Sequence, residues 1–152
     1  MESALITKKT MNVLLIGNNP SELSTIYEQI KKSRNVSYIA EVAFDISDIE
    51  KFVKKSKMDC IVIDDKMEKK ELDNLFQYLK KNSLTSNIPI TIVQNSNADD
   101  APRGGADEFI LKNSVTSETL THALFNSLKI HELRNYLKKA YTKRKRTILA
   151  FR

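Results

Sequence analysis

The residues with the clearest chemical potential are two adjacent acids and one lysine, each directly after an apolar run. Asp64 and Asp65 follow Cys60–Ile63, and Lys112 follows Glu108–Leu111. Opposite charges about 4 Å apart favour each other's ionised forms. If the fold brings these residues together, we expect Lys112 to lie beside Asp64 and Asp65 and to balance their charge.

The elements that would position them alternate between strand and helix. Apolar runs predict five strands, which are Met11–Ile16, Val36–Val42, Cys60–Ile63, Ile88–Val93 and Glu108–Leu111. Segments with helical periodicity lie between most of them, and a long C-terminal helix is predicted from Thr116. This pattern predicts an α/β fold with a doubly wound, five-stranded parallel sheet.

Polar residues gather at the carboxyl ends of the predicted strands, where open sheets of this kind bind ligands. Besides the acids and the lysine, Gly17 and Asn18 follow the first strand, and Gln94 and Asn95 follow the fourth. Just beyond the first strand, Asn19 is predicted to cap a helix, with Glu22 as the reciprocal acid of a capping box.

Four segments resemble the receiver domains of response regulators in two-component signalling; they are Asn12–Pro20, Met58–Asp64, Ile88–Ile90 and Gly105–Lys112. The resemblance covers about residues 11–130 and implies the flavodoxin-like receiver fold. It also implies that Asp64 holds the position of the phosphoaccepting aspartate, Phe109 that of the switch aromatic and Lys112 that of the active-site lysine.

Other positions depart from the family pattern. Gly17 and Asn18 stand where the family has two acids that hold Mg²⁺, Gln94 replaces a small hydroxyl residue, and Asn113 replaces a proline. Phosphoryl transfer depends on the charge neutralisation that a divalent ion supplies, and Mg²⁺ prefers carboxylate oxygens. We therefore expect neither a bound metal nor another cofactor, although Asp65 could partly compensate, and we interpret Asp64 and Lys112 as a structural pair.

The predicted C-terminal helix extends beyond the end of a receiver domain. Leu133, Leu137 and Tyr141 form an apolar stripe there, which predicts a helical partner, either a second copy of the chain or another protein. Around His131, Ile130–Arg134 resembles the short box of sensor-kinase histidines, but the helix hairpin and ATP-binding domain of those kinases are not recognisable in the sequence.

The basic residues are concentrated at the C-terminus. Residues 134–152 contain eight Lys or Arg and no acid, including the run Lys143, Arg144, Lys145 and Arg146. Such a run could bind nucleic acid nonspecifically, or it could be a solvated helix end. No recognised DNA-reading module accompanies it.

Length and composition fit a single domain of 152 residues with a net charge of +6. The sequence has one cysteine and no apolar stretch long enough to cross a bilayer, so we expect a cytoplasmic protein. We predict a flexible N-terminus (1–10), a receiver-like domain (11–130) and a basic helical extension or linker (131–152).

The function expected from these observations is a degenerate, phosphorylation-independent receiver-like module that binds a signalling protein and is not an enzyme. Two alternatives stay open. One is an active phosphoacceptor that uses Asp64; the other is a nonspecific nucleic-acid accessory protein that binds through its basic tail.

Overall fold

The computed structural model describes residues 9–95 and 105–150. The strands are β1 (Lys9–Ile16), β2 (Val36–Ala43), β3 (Cys60–Asp64), β4 (Ile90–Gln94) and β5 (Glu108–Leu111). The helices are α1 (Pro20–Lys31), α2 (Ile46–Lys55), α3 (Lys69–Lys81) and α4 (Ser117–Ala150), and a 3₁₀ turn occupies Lys112–Ser114.

The five strands form one parallel sheet in the order β2-β1-β3-β4-β5. This order is that of flavodoxin-like folds, so the predicted doubly wound architecture is confirmed. The strand order reverses between β1 and β3, and the carboxyl ends of these strands flank the crevice where such sheets bind ligands. Gly17 and Asp64 lie at these two strand ends.

Alternate residues of each strand supply two separate hydrophobic cores. On one face of the sheet, Leu14, Ile61 and Ile92 pack with helices α2 and α3. On the other face, Leu15 and Val62 pack with helices α1 and α4. Because both faces are covered, the inner strands are buried on both sides, which is why β3 and the second half of β1 appear in the sequence as unbroken apolar runs.

Two strand starts differ from the prediction. β1 begins at Lys9 instead of Met11, because Lys9 and Thr10 continue the parallel register with Val36 and Ser37 of β2. Residues 1–8 lie outside the described residues, so the flexible N-terminus stays a prediction for them.

β4 begins at Ile90 instead of Ile88. The backbone N–H of Ile88 donates to Thr85 O (3.1 Å), which closes the preceding turn, and Pro89 has no N–H to give to the sheet. Only ten residues separate Gln94 from Gly105, which predicts a shortened helix or a loop after β4. Residues 96–104 of this segment lie outside the described residues.

Helix α4 is 34 residues long, about 50 Å from end to end. It continues without interruption past residue 130, where we predicted the receiver-like domain to end. Within the described residues, no helix is both long and apolar enough to span a membrane.

Candidate functional site at the carboxyl edge of the sheet

Asp64 ends strand β3 and is only 2% exposed. Its Oδ1 accepts hydrogen bonds from the Lys66 backbone N–H (3.1 Å) and from the Asn95 side-chain amide. Its Oδ2 lies 3.3 Å from Lys112 Nζ. A buried carboxylate is tolerated when donors and an opposite charge surround it, and Asp64 has both.

Lys112 contacts two acids from different parts of the chain. Besides Asp64, its ammonium group forms an ion pair with Glu22 in the first turn of α1. Lys66 also approaches Glu22, at 3.3 Å. The Lys112 hydrogen bond and charge, with a smaller contribution from Lys66, hold the pKa of Glu22 below its ordinary value of 4.5.

Asp65 is held by the segment after β4. Its Oδ1 accepts hydrogen bonds from both the backbone N–H and the side-chain amide of Asn95, each at 2.9 Å. We predicted that Lys112 would lie beside Asp64 and Asp65. The prediction was correct for Asp64, but the second acid of Lys112 is Glu22, because Asn95 already binds Asp65.

Gly17 is buried, and there is little room for a side chain at its position. A Cβ atom there would lie 3.0 Å from Leu23 Cδ2 and 3.3 Å from Asp64 Cβ. The neighbouring Asn18 is exposed, and its amide donates to Glu71 Oε2 (3.1 Å) on helix α3. Neither position brings a carboxylate to the crevice.

The carboxylates at this edge of the sheet are paired with donors of the chain itself. Asp64 supplies the carboxylate at the strand end, but it already faces the ammonium group of Lys112. Across residues 9–95 and 105–150, no group of three or more Asp, Glu, His or Cys side chains could hold a metal ion. The positive charge in contact with Asp64 comes from Lys112.

The two remaining predicted switch positions lie on adjacent strands. Gln94 is half-buried at the end of β4 and is in register with Leu111. Phe109 is in register with Ile92 and packs against the core on the α2 and α3 face. Asn113 is exposed in the 3₁₀ turn.

Solved structures with this architecture include chemotaxis response regulator CheY4 of Vibrio cholerae, with a TM-score of 0.63 and 20% identity over 80% of this chain and 100% of that one. A response regulator from Desulfuromonas acetoxidans matches with a TM-score of 0.63 and 19% identity, over 79% of this chain and 98% of that one. The chain has the receiver fold. A sensor protein from Polaromonas sp. JS666 has a TM-score of 0.66 at 12% identity, over 80% of this chain and 98% of that one.

The likeness to receiver domains is one of structure. No protein-family model and no curated protein matches the sequence. At these identities the shared receiver fold positions Asp64 and Lys112 but does not determine what they do.

Sequence reasoning missed the role of Glu22. Asn19 does cap α1, since its Oδ1 accepts from the Ser21 N–H at 2.9 Å and the Glu22 N–H at 3.4 Å. The capping-box role of Glu22 was wrong, because its carboxylate binds Lys112 and Lys66. Its position just after β1, at the ligand-binding edge, was the available signal.

The C-terminal stripe lies on the part of α4 beyond the sheet. The exposed fractions of Leu133, Leu137 and Tyr141 are 57%, 55% and 69%. The basic residues Lys143, Arg144, Lys145 and Arg146 are also exposed. The structure thus leaves both surfaces accessible, and the predictions about what binds to them stay open.

Proposed function

We propose that this protein is a phosphorylation-independent interaction module with the receiver fold, which acts by binding a signalling protein and not by catalysis. The observation that carries the proposal is that the two residues after β1, Gly17 and Asn18, bring no carboxylate to the crevice at Asp64. A positive charge from the chain itself lies at the carboxylate that a receiver would phosphorylate.

An aspartyl phosphoacceptor requires cations that neutralise the negative charge of the incoming phosphoryl group. Transfer of a phosphoryl group relies on positioning and on cations around the transferred oxygens. Here Gly17 and Asn18 bring no carboxylate to recruit a divalent ion, and Asp64 is buried and engaged with three donors. These features support a module that binds its partner in a single, unphosphorylated state.

The alternative is an active phosphoacceptor in which Asp65 replaces a missing metal ligand. Its support is the position of Asp64 at the end of β3 with Lys112 beside it. It requires Asp65 to leave Asn95, which donates two hydrogen bonds to the same carboxylate oxygen.

An NMR titration separates the two functions. The full chain is titrated with Mg²⁺ and then with beryllofluoride, and the amide signals of Gly17, Asp64, Gln94 and Phe109 are followed. We expect no saturable shift in the native protein and the same flat response in Asp64→Asn. Saturable shifts that disappear in Asp64→Asn would establish the phosphoacceptor instead.

Self-association through Leu133, Leu137 and Tyr141 stays a prediction, and so does nonspecific nucleic-acid binding by the basic tail. Sedimentation equilibrium tests the first. The second predicts binding to RNA or DNA that weakens steeply with salt and is lost when the chain is truncated after Lys139.

A further inference from the structure

Helix α4 is fixed to the domain beyond the point where it leaves the sheet. The buried carboxylate of Asp107 accepts the Ile90 backbone N–H (2.9 Å) and Arg134 Nη1 (2.9 Å). His131 Nδ1 lies 3.4 Å from the same carboxylate. Ile90 is the first residue of β4, so the Asp107 carboxylate links helix α4 directly to the sheet and thereby fixes the orientation of the helix.

A second contact holds the same side of the helix. Asn87 Oδ1 accepts from Asn135 Nδ2 at 3.0 Å and lies 3.1 Å from His131 Nε2. Successive residues of an α-helix are separated by about 100°, so Leu133 is on roughly the opposite side from His131 and Asn135. The anchored side faces the domain, and the leucines face away from it.

The outward side carries a seam with coiled-coil spacing. Leu133, Leu137, Ala140 and Arg144 follow one another at intervals of four and three residues, which is the spacing that meets a partner helix. Tyr136 and Tyr141 flank the seam, and both are 69% exposed. Aromatic residues and Arg are enriched at the centres of protein interfaces.

The net positive charge of residues 131–147 indicates which kind of partner this surface would bind. Between residues 131 and 147 there are seven Lys or Arg and a single acid, Glu132. Arg134 is paired with Asp107, so the other six carry the excess positive charge. In a parallel pair of two copies, Arg144 would face Arg144 within the seam, and in either orientation the excess of Lys and Arg on one copy would lie close to that on the other. Like charges in contact across an interface disfavour the complex, whereas opposite charges favour it.

We propose that the outward seam of α4, centred on Leu133, Leu137 and Arg144, docks an acidic amphipathic helix of another protein. This inference rests on the proposed function as an interaction module and names the kind of partner. The apolar seam sets the register, and the surrounding Lys and Arg favour an acidic helix over a neutral one and disfavour a basic one. A phosphate backbone would satisfy the charges but would leave the leucines exposed.

The test uses a synthetic peptide of about three heptads with Leu at the a and d positions and Glu at the e and g positions. Repulsion between Glu residues keeps the peptide from pairing with itself. Binding to the full chain is measured by fluorescence anisotropy. We expect saturable binding, and affinity at least about tenfold weaker for a scrambled peptide of identical composition.

Two pairs of variants distinguish binding through the seam from nonspecific attraction to the positive charge of the helix. Leu133→Ser combined with Leu137→Ser should weaken binding about tenfold or more, whereas Ile39→Ser, at another exposed apolar position on β2, should not change it. Arg144→Glu should weaken binding more than Lys139→Glu, which makes the same charge change off the seam.

Three results would overturn the inference. The first is equal affinity for the ordered and scrambled peptides. The second is sedimentation showing a homodimer of the native chain that Leu133→Ser with Leu137→Ser dissolves. The third is tighter binding to RNA or to anionic vesicles that these leucine substitutions do not affect. Saturable Mg²⁺ and beryllofluoride shifts would instead refute the proposed function, so the two failures are distinguishable.

Discussion

Lys112 Nζ lies 3.3 Å from Asp64 Oδ2, and this contact joins the turn after β5 to the end of β3 across the strand between them. The Lys112 side chain is 18% exposed and that of Asp64 is 3% exposed. Since water reaches this pair only in part, the ammonium group matters more to Asp64 than a surface partner would.

Lys112→Met should therefore lower the free energy of unfolding by about 2 kcal/mol, because it leaves a buried carboxylate without its positive partner. The chain has no Trp, so urea unfolding followed by far-UV circular dichroism is the appropriate measurement. Lys54→Met is the matched control. Lys54 pairs with Glu50 at 3.4 Å with both side chains at least half exposed, and its loss should cost less than about 0.5 kcal/mol. Equal effects of the two substitutions would contradict a structural role for Lys112.

The Glu22 contact predicts a pH dependence. Because Lys112 and Lys66 lower the pKa of Glu22 in the folded protein, its contribution to stability is fully present above its ordinary value of 4.5. That contribution is lost as the pH falls through the lower, folded pKa. The difference in unfolding free energy between the native chain and Glu22→Gln should thus be constant near neutral pH and shrink in acid. A difference independent of pH would show that the charge of Glu22 is not involved.

The sequence predicted the parts of the site that depend on local pattern. Cys60–Ile63 is continuous and apolar because β3 is the centre of a sheet covered on both faces, and this placed Asp64 at the ligand-binding edge. The same reasoning placed Lys112 after β5. The carboxyl ends of parallel strands meet at one edge of the sheet, so the sequence alone predicted that these two residues lie close together.

The contacts that sequence reasoning assigned wrongly or missed depend on partners distant in the chain. Glu22 fits a capping box locally, and only the fold brings Lys112 to it. Asn95 carries no charge to mark it, yet its amide fixes both Asp64 and Asp65. Which donor binds a given carboxylate depends on differences of a few ångströms in side-chain position. The spacing of residues along the sequence does not specify these differences.

The crowding around Gly17 should limit its replacement by a larger residue, including the acid that receiver domains have at this position. Gly17→Ala should lower the free energy of unfolding by about 1 kcal/mol, since the new Cβ would crowd Leu23 and Asp64 at 3.0 and 3.3 Å. Asn18→Ala, at the exposed neighbouring position, should stay within about 0.5 kcal/mol of the native chain. Both are measured by urea unfolding. A fully stable Gly17→Ala would mean that Leu23 can move, and that the crevice can accept an acid at this position.

Asp107→Asn tests how the domain orients helix α4. The substitution keeps the shape of the side chain but removes the charge that binds Arg134 at 2.9 Å, so the free energy of unfolding should fall by about 2 kcal/mol. Amide hydrogen exchange of residues 131–137 should become faster, because the anchored turns lose their contact with the sheet. Asp73→Asn, an exposed position on α3, should change neither quantity. Unchanged exchange in Asp107→Asn would show that Asn87 alone holds the helix, since its contacts with His131 and Asn135 would survive.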